Sequence, residues 1–312
     1  MNYIRCNICN GKTKKKLVKT RSKKNLQINL CKKCDYEFFL NEKTKNLKQN
    51  KLDKFRLKSA GLKLVNKNRD FINGLKQSET YIKNYLPNKK KQILDIGCSW
   101  GYFLYLAKKK GHKCYGLELS NIKRKYINDK LKINCYEKID DLKNLKFDKI
   151  FLFYSLEYID NPLKFLSKLK PFLSAKGEII IYTPNKNDHI NSLINSKEYQ
   201  NFFYEENSIN YFSHQSMNNL CKKISKNYKI NQIQGYSFIN LINWFFHKKP
   251  FSSNFVGEDK FVEELVSNIN IKKKKFKRQE ITFKNLIRNT DKYFKKFLEK
   301  NKIANIIVAR IQ

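Results

Sequence analysis

No stretch of about 18 consecutive apolar residues occurs in this 312-residue chain, so a transmembrane helix is excluded. The opening, MNYIRCNICNGKTKKK, lacks the apolar core of a secretory signal. Export is therefore not expected, and a reducing cytoplasm is the expected setting. In that setting the eight Cys are expected as thiols or metal ligands rather than disulfides. Glycine is scarce, with ten in the whole chain, so two of them four residues apart are worth following. Arginine is also scarce, although it is the better bidentate reader of phosphate.

Apolar substance is plentiful. Hydrophobic residues make up 41%, including 23 Phe and 18 Tyr, which is enough to bury a core and argues against disorder along the whole length. The formal charge is +39. Residues 1–60 carry 18 basic and 4 acidic side chains, residues 271–312 carry 14 and 3, and the 210 between them hold the remaining +14. A basic surface attracts phosphate, whether of RNA, of a nucleotide-linked substrate or of anionic lipid. Drift in an AT-rich genome would also load a chain with Lys, Asn and Ile, and charge alone leaves both readings open.

Cys6 and Cys9 form one Cys-x-x-Cys knuckle, and Cys31 and Cys34 form a second after 21 intervening residues. This pattern suits a tetrahedral zinc site across a hairpin. All four ligand positions are filled, so the zinc would be structural, in a ribbon module spanning 1–45. Cys98, Cys114, Cys135 and Cys221 sit in apolar segments and read as buried small hydrophobes. Residues 46–90 read as a connector: a Lys- and Asn-rich linker, then helical spacing at Leu62, Val65, Ile72, Leu75, Ile82 and Tyr85, stopped by Pro87.

An αβ core follows. QILDIG (92–97) is a strand ending in an acid and a glycine, and a helix starts at Tyr102 just after Gly101. A helix N-terminus behind a glycine turn can face an anion. The next strand, KCYGL, ends in Glu118, where a carboxylate can take both hydroxyls of a ribose. Buried strands at 147–153 and 177–182, with an amphipathic helix at 162–173 between them, predict a parallel sheet covered on both faces. A nicotinamide-dinucleotide turn does not fit, because Ser99 and Tyr102 fill its second and third glycine places.

Ile93 to Leu104 (ILDIGCSWGYFL) resembles motif I of class I S-adenosylmethionine-dependent methyltransferases. YSLEYIDNP (154–162) and GEIIIYTPN (177–185) resemble their segments after the fourth strand and on the fifth. The resemblance covers roughly 60–240 and the strand at 304–310. It implies a doubly wound, seven-stranded Rossmann-like sheet over 91–240 and 301–312, with a basic insertion at 241–300. It further implies that Gly97, Ser99 and Gly101 line the methionine part of S-adenosylmethionine and that Asp95 holds its ammonium. Glu118 would bind the ribose, Leu119 would lie against the adenine, and Ile139 and Asp140 would meet the adenine edge. Ser99 stands where the family has glycine, which is tolerable if φ stays negative there. Tyr158 stands where the family has histidine.

The catalytic base is not identified by these patterns; the candidates are Tyr158, Glu157 and His214, the last also readable as a helix start. Aromatics at 186–212 suggest either an acceptor lid or core packing. Trp244, Phe245 and Phe246 suggest a membrane or partner contact. A four-cysteine module on such a core resembles enzymes that methylate nucleotide-linked sugars in surface-polysaccharide synthesis. That is the expected acceptor class, with O-, N- or C-methylation open. An RNA methyltransferase and a non-catalytic zinc-ribbon protein are the alternatives.

Overall fold

The computed structural model describes residues 4–39, 69–86, 89–194, 196–249 and 277–312. The expected linker at 41–60, Leu62 and Val65 of the expected helix, Pro87 and the lysines at 272–275 lie outside the described residues. At the N-terminal end, β1 (Lys14–Lys19) and β2 (Asn25–Cys31) form an antiparallel hairpin, and β3 (Tyr36–Phe38) adds to β2. The helix α1 (Arg69–Tyr85) then leads into the core.

The core alternates strand and helix. It runs β4 (Gln92–Ile96), α2 (Tyr102–Lys109), β5 (Lys113–Leu117), α3 (Asn121–Tyr126), β6 (Asn134–Tyr136), β7 (Phe147–Phe153), α4 (Pro162–Leu169) and β8 (Leu173–Pro184). Two short helices, α5 (His189–Leu193) and α6 (Lys197–Phe203), precede a two-residue strand, β9 (Asn210–Tyr211). The chain closes with α7 (His214–Ile224), β10 (Tyr228–Ile233), α8 (Phe238–His247), α9 (Lys277–Lys300) and β11 (Ile306–Ile311).

Seven strands form one sheet in the order β10-β11-β8-β7-β4-β5-β6. Only β11 runs against its neighbours, β10 and β8; the other pairings are parallel. The alternation of side chains along each strand explains why the sequence shows near-continuous apolar runs. Leu94, Ile150, Leu152, Ile179 and Ile181 enter one core, packed under α4 and α7 by Leu166, Leu169, Met217 and Leu220. Ile93, Phe151, Ile180 and Val308 enter the other, under α1 and α2 with Tyr81, Ile82, Phe103 and Leu104. With both faces covered, the central strands are apolar over most of their length. Fully burying one such side chain contributes about 1.5–3 kcal/mol.

The N-terminal hairpin joins the core in two ways. Cys6, Ile8, Tyr36 and Phe38 belong to the same hydrophobic cluster as α4 and α7. In addition, β3 pairs with β9, Glu37 opposite Tyr211 and Phe38 opposite Asn210, to complete a second sheet in the order β1-β2-β3-β9. β9 was not foreseen in the 186–212 segment. Its aromatics pack inward: Tyr199 and Phe202 meet Trp244 at centroid distances of 4.8 and 5.2 Å. Trp244 is thereby buried, which corrects its assignment to an exposed contact with Phe245 and Phe246. On a helix one residue of an aromatic triplet turns in while the next two turn out.

Candidate cofactor turn and cysteine cluster

The turn after β4 is built around two left-handed glycines. Gly97 has φ 72°, and a Cβ there would come within 2.4 Å of Ser155 Oγ. Gly101 has φ 73° and stands before the first residue of α2. Between them Ser99 has φ 50°, not the negative value expected for a residue with a side chain. That conformation costs an L-residue about 1–2 kcal/mol. It lets the Ser99 amide donate to Glu118 Oε2 at 2.9 Å, a charge-assisted bond that offsets the strain.

Glu118, one residue past the end of β5, is therefore gripped at both oxygens, since Ser120 N donates to Oε1 at 2.9 Å. Each oxygen keeps a further lone pair for an incoming donor. Arg124 fixes the segment from the other side. Its Nη1 donates to the Glu118 and Leu119 carbonyls at 2.8 and 2.7 Å, and Nη2 donates to Glu137 at 2.6 Å. Leu119 is 72% exposed beside it. Sequence reasoning missed Arg124, although a signal existed: it is the only arginine between residues 70 and 277 of a lysine-rich chain.

Asp95, at the neighbouring strand end, is buried, and no hydrogen bond reaches its carboxyl among the described residues. Burial, and then the nearby Glu118 charge, push its pKa well above the usual carboxylate range. A buried, unpartnered carboxyl calls for a cation. Tyr81 of α1, another residue the sequence did not single out, lies within reach of its charge and accepts a hydrogen bond from Gln77 at 2.8 Å. Ile139 and Asp140 begin a short 3-10 turn; Ile139 packs against the core and Asp140 is exposed.

The segment after β7 closes over this turn. Ser155 Oγ donates to the Ile96 carbonyl at 2.8 Å. The three candidate bases are not assembled into one group. Glu157 is buried, takes a bond from Thr183 Oγ1 at 3.3 Å, and burial pushes its carboxyl up to about 8. Tyr158 is 47% exposed, and desolvation of its hydroxyl, then the Glu157 charge, push it up to about 12. His214 is the first residue of α7, behind an N-cap at Ser213, and its Nδ1 is buried with no partner among the described residues.

The four N-terminal cysteines come together: the sulfurs of Cys6, Cys9, Cys31 and Cys34 all lie within 4.8 Å of one another. Cys6 and Cys34 are 3.6 Å apart, and Cys9 and Cys31 are 3.4 Å apart. A tetrahedral ZnS4 centre with bonds of about 2.3 Å needs sulfur edges of about 3.8 Å, so the donor set fits. Next to it Glu37 is buried. Desolvation would raise its pKa, but Lys186 and Lys16 outweigh that and hold it low. Lys16 Nζ lies 2.9 Å and Lys186 Nζ 3.3 Å from Glu37 Oε1, and Tyr204 donates to Oε2 at 2.6 Å.

Residues 73–224 match the family model described as a methyltransferase domain. Among curated proteins, the tRNA U34 carboxymethyltransferase of Nautilia profundicola is 29% identical over 111 residues, 33% of this chain and 37% of that protein. The chloroplastic tocopherol O-methyltransferase of Arabidopsis thaliana is 31% identical over 106 residues, 30% of each chain. The matches thus span little more than a third of these relatives' own lengths. A solved S-adenosylmethionine-dependent methyltransferase from Archaeoglobus fulgidus aligns at 16% identity and TM-score 0.47, over 84% of this chain and 99% of that one. The matched segment, just under half of the chain, spans the β4 turn, and with the strand order running 10-11-8-7-4-5-6 it resembles an S-adenosylmethionine-dependent methyltransferase domain.

Proposed function

We propose that this protein transfers a methyl group from S-adenosylmethionine, held in the Asp95–Glu118 turn, to a small acceptor at the carboxyl edge of the sheet. The observation that carries the reading is the pair of carboxyls on adjacent strand ends. Asp95 is buried with no hydrogen bond to its carboxyl from the described residues, and Glu118 is aimed by two backbone amides. When bound, S-adenosylmethionine supplies a methyl group already activated on a sulfonium.

Asp95 balances the ammonium of the methionine part, and Gly97, Ser99 and Gly101 let that part approach the backbone. Glu118 takes the ribose hydroxyls on its free lone pairs, and exposed Leu119 covers the adenine, with Ile139 and Asp140 at its edge. The remaining task of the chain is alignment of the acceptor. Burial pushes the Glu157 carboxyl up to about 8, which favours its protonated form and makes it a poorer base than an exposed carboxylate poised in the same cleft would be.

Cys6, Cys9, Cys31 and Cys34 hold a structural zinc, because four thiolates leave no open coordination position. The acceptor class we favour is a nucleotide-linked sugar or surface-polysaccharide precursor, whose diphosphate suits a chain of net charge +39. A second reading, methylation of RNA, draws on the same charge and on the tRNA-directed name of one relative.

Calorimetry with S-adenosylhomocysteine tests the cofactor site. Glu118→Ala is expected to weaken binding more than roughly tenfold, about 1.4 kcal/mol, for a lost pair of charge-assisted bonds. An unchanged dissociation constant would remove the ribose role. Transfer of labelled methyl to a nucleotide-sugar, against transfer to tRNA, separates the two acceptors.

A further inference from the structure

Among the described residues, twelve large hydrophobic side chains are exposed, and eight of them lie on α8 and α9. On α8 they include Phe245 and Phe246, 60% and 70% exposed and in contact with each other. On α9 the placement is regular. Ile287 and Leu298 face the protein, while Phe283, Leu286, Tyr293 and Phe297 recur at intervals of 3, 7 and 4 residues and are all exposed. Those intervals keep them on one helical stripe, a second apolar face that packing against the core does not use. Lys292, Lys296 and Lys300, four residues apart, run beside that stripe and are exposed as well.

We propose that α8 and α9 form a docking surface for an anionic lipid membrane. A stripe of phenyl and aliphatic groups flanked by lysine is the pattern of a helix that lies in the lipid interface: the rings enter the acyl boundary while the ammonium groups reach headgroup phosphates. A second copy of this chain is a poorer occupant, because it would bring a like-charged row against the first. The placement also matters. β10 runs in the same direction as β8, so α8 starts at the carboxyl edge of the sheet, the edge of the Gly97 turn. α9 returns to that same edge, where Ile306 pairs with Pro184. A membrane held by these helices would therefore lie on the side from which an acceptor approaches.

Vesicle co-sedimentation tests the proposal on the full chain. Vesicles of phosphatidylcholine mixed with phosphatidylglycerol should bind the protein roughly tenfold or more tightly than vesicles of phosphatidylcholine alone, and salt should weaken the difference. Phe245→Ser with Phe246→Ser, and separately Leu286→Ser with Phe297→Ser, should abolish binding while S-adenosylhomocysteine binding stays unchanged. Lys292→Gln, Lys296→Gln and Lys300→Gln together, with no apolar group altered, should remove the lipid preference. Equal binding to both vesicles, no binding, or binding indifferent to these variants overturns the proposal. So does a self-association that the Phe→Ser variants disperse, or an RNA affinity lost with the three lysines while lipid binding is unchanged.

Discussion

Asp95 and Glu118 sit on neighbouring strands and end in opposite electrostatic situations. Two amides hold Glu118, whereas Asp95 is left with burial and a like charge. The free protein therefore keeps a proton on Asp95 to a higher pH than an unfolded chain would. The sign follows. Asp95 binds protons more tightly folded than unfolded, so its contribution to stability without cofactor falls as pH rises from the unfolded value of about 3.9 through its raised value. An ammonium in the site reverses the preference, since only the carboxylate pairs with it. Affinity for S-adenosylhomocysteine is then expected to rise with pH across that window, and binding is expected to release a proton. Calorimetry in two buffers of different ionisation enthalpy reads the release directly. It should vanish in Asp95→Asn, and an equal proton release in wild type and Asp95→Asn would sink the assignment.

Among the elements, β9 carries the most consequence for its size. Two residues long, it is paired with β3 of the cysteine module, and its Asn210 also binds three ways. Asn210 Nδ2 donates to the Leu156 and Ile159 carbonyls at 3.0 and 2.7 Å, and its Oδ1 accepts from the buried Tyr36 hydroxyl. Ile209 N donates to the Glu157 carbonyl at 2.8 Å. Leu156 follows Ser155, which touches the Gly97 turn. The cysteine knuckle at Cys34 is thus two residues from a hydrogen-bonded path to the segment that covers the cofactor turn. Removing the zinc proposed for the four cysteines with a chelator is expected to loosen β3, and with it the Ile209 and Phe39 amides, while the β4 and β5 amides stay protected. Hydrogen exchange measured before and after chelation checks this; unchanged exchange at Ile209 after complete loss of zinc would show that β9 holds itself. A strand that exists only as a partner for another leaves no apolar run, which is why β9 escaped sequence reasoning while β4, β7 and β8 did not.

For the molecule as a whole, the seven-stranded sheet was legible because strands buried on both faces carry near-continuous apolar runs, and because Gly97 and Gly101 are two of only ten glycines. The left-handed Ser99 was not legible, since its φ is set by a hydrogen bond to Glu118, nineteen residues away in sequence. The inward turn of Trp244 was likewise fixed by Tyr199 and Phe202, which only the fold brings near. Charge remains the property that packing explains least. The formal +39 is concentrated in residues 1–60 and 271–312, and like charges on one chain repel. The part-buried pairs, such as Glu178 with Lys149 and with Arg310, are screened less by salt than exposed lysines, which are screened over about 10 Å at 0.1 M. Added sodium chloride should therefore relieve repulsion more than it weakens attraction. The expected outcome is a rise in Tm of about 2–4 °C between low and moderate salt, the shift that about 1 kcal/mol produces in a domain of this size. Scanning calorimetry in sodium chloride, with an uncharged osmolyte as control, measures it. A fall in Tm would mean that exposed ion pairs, rather than net repulsion, set the electrostatic part of the stability.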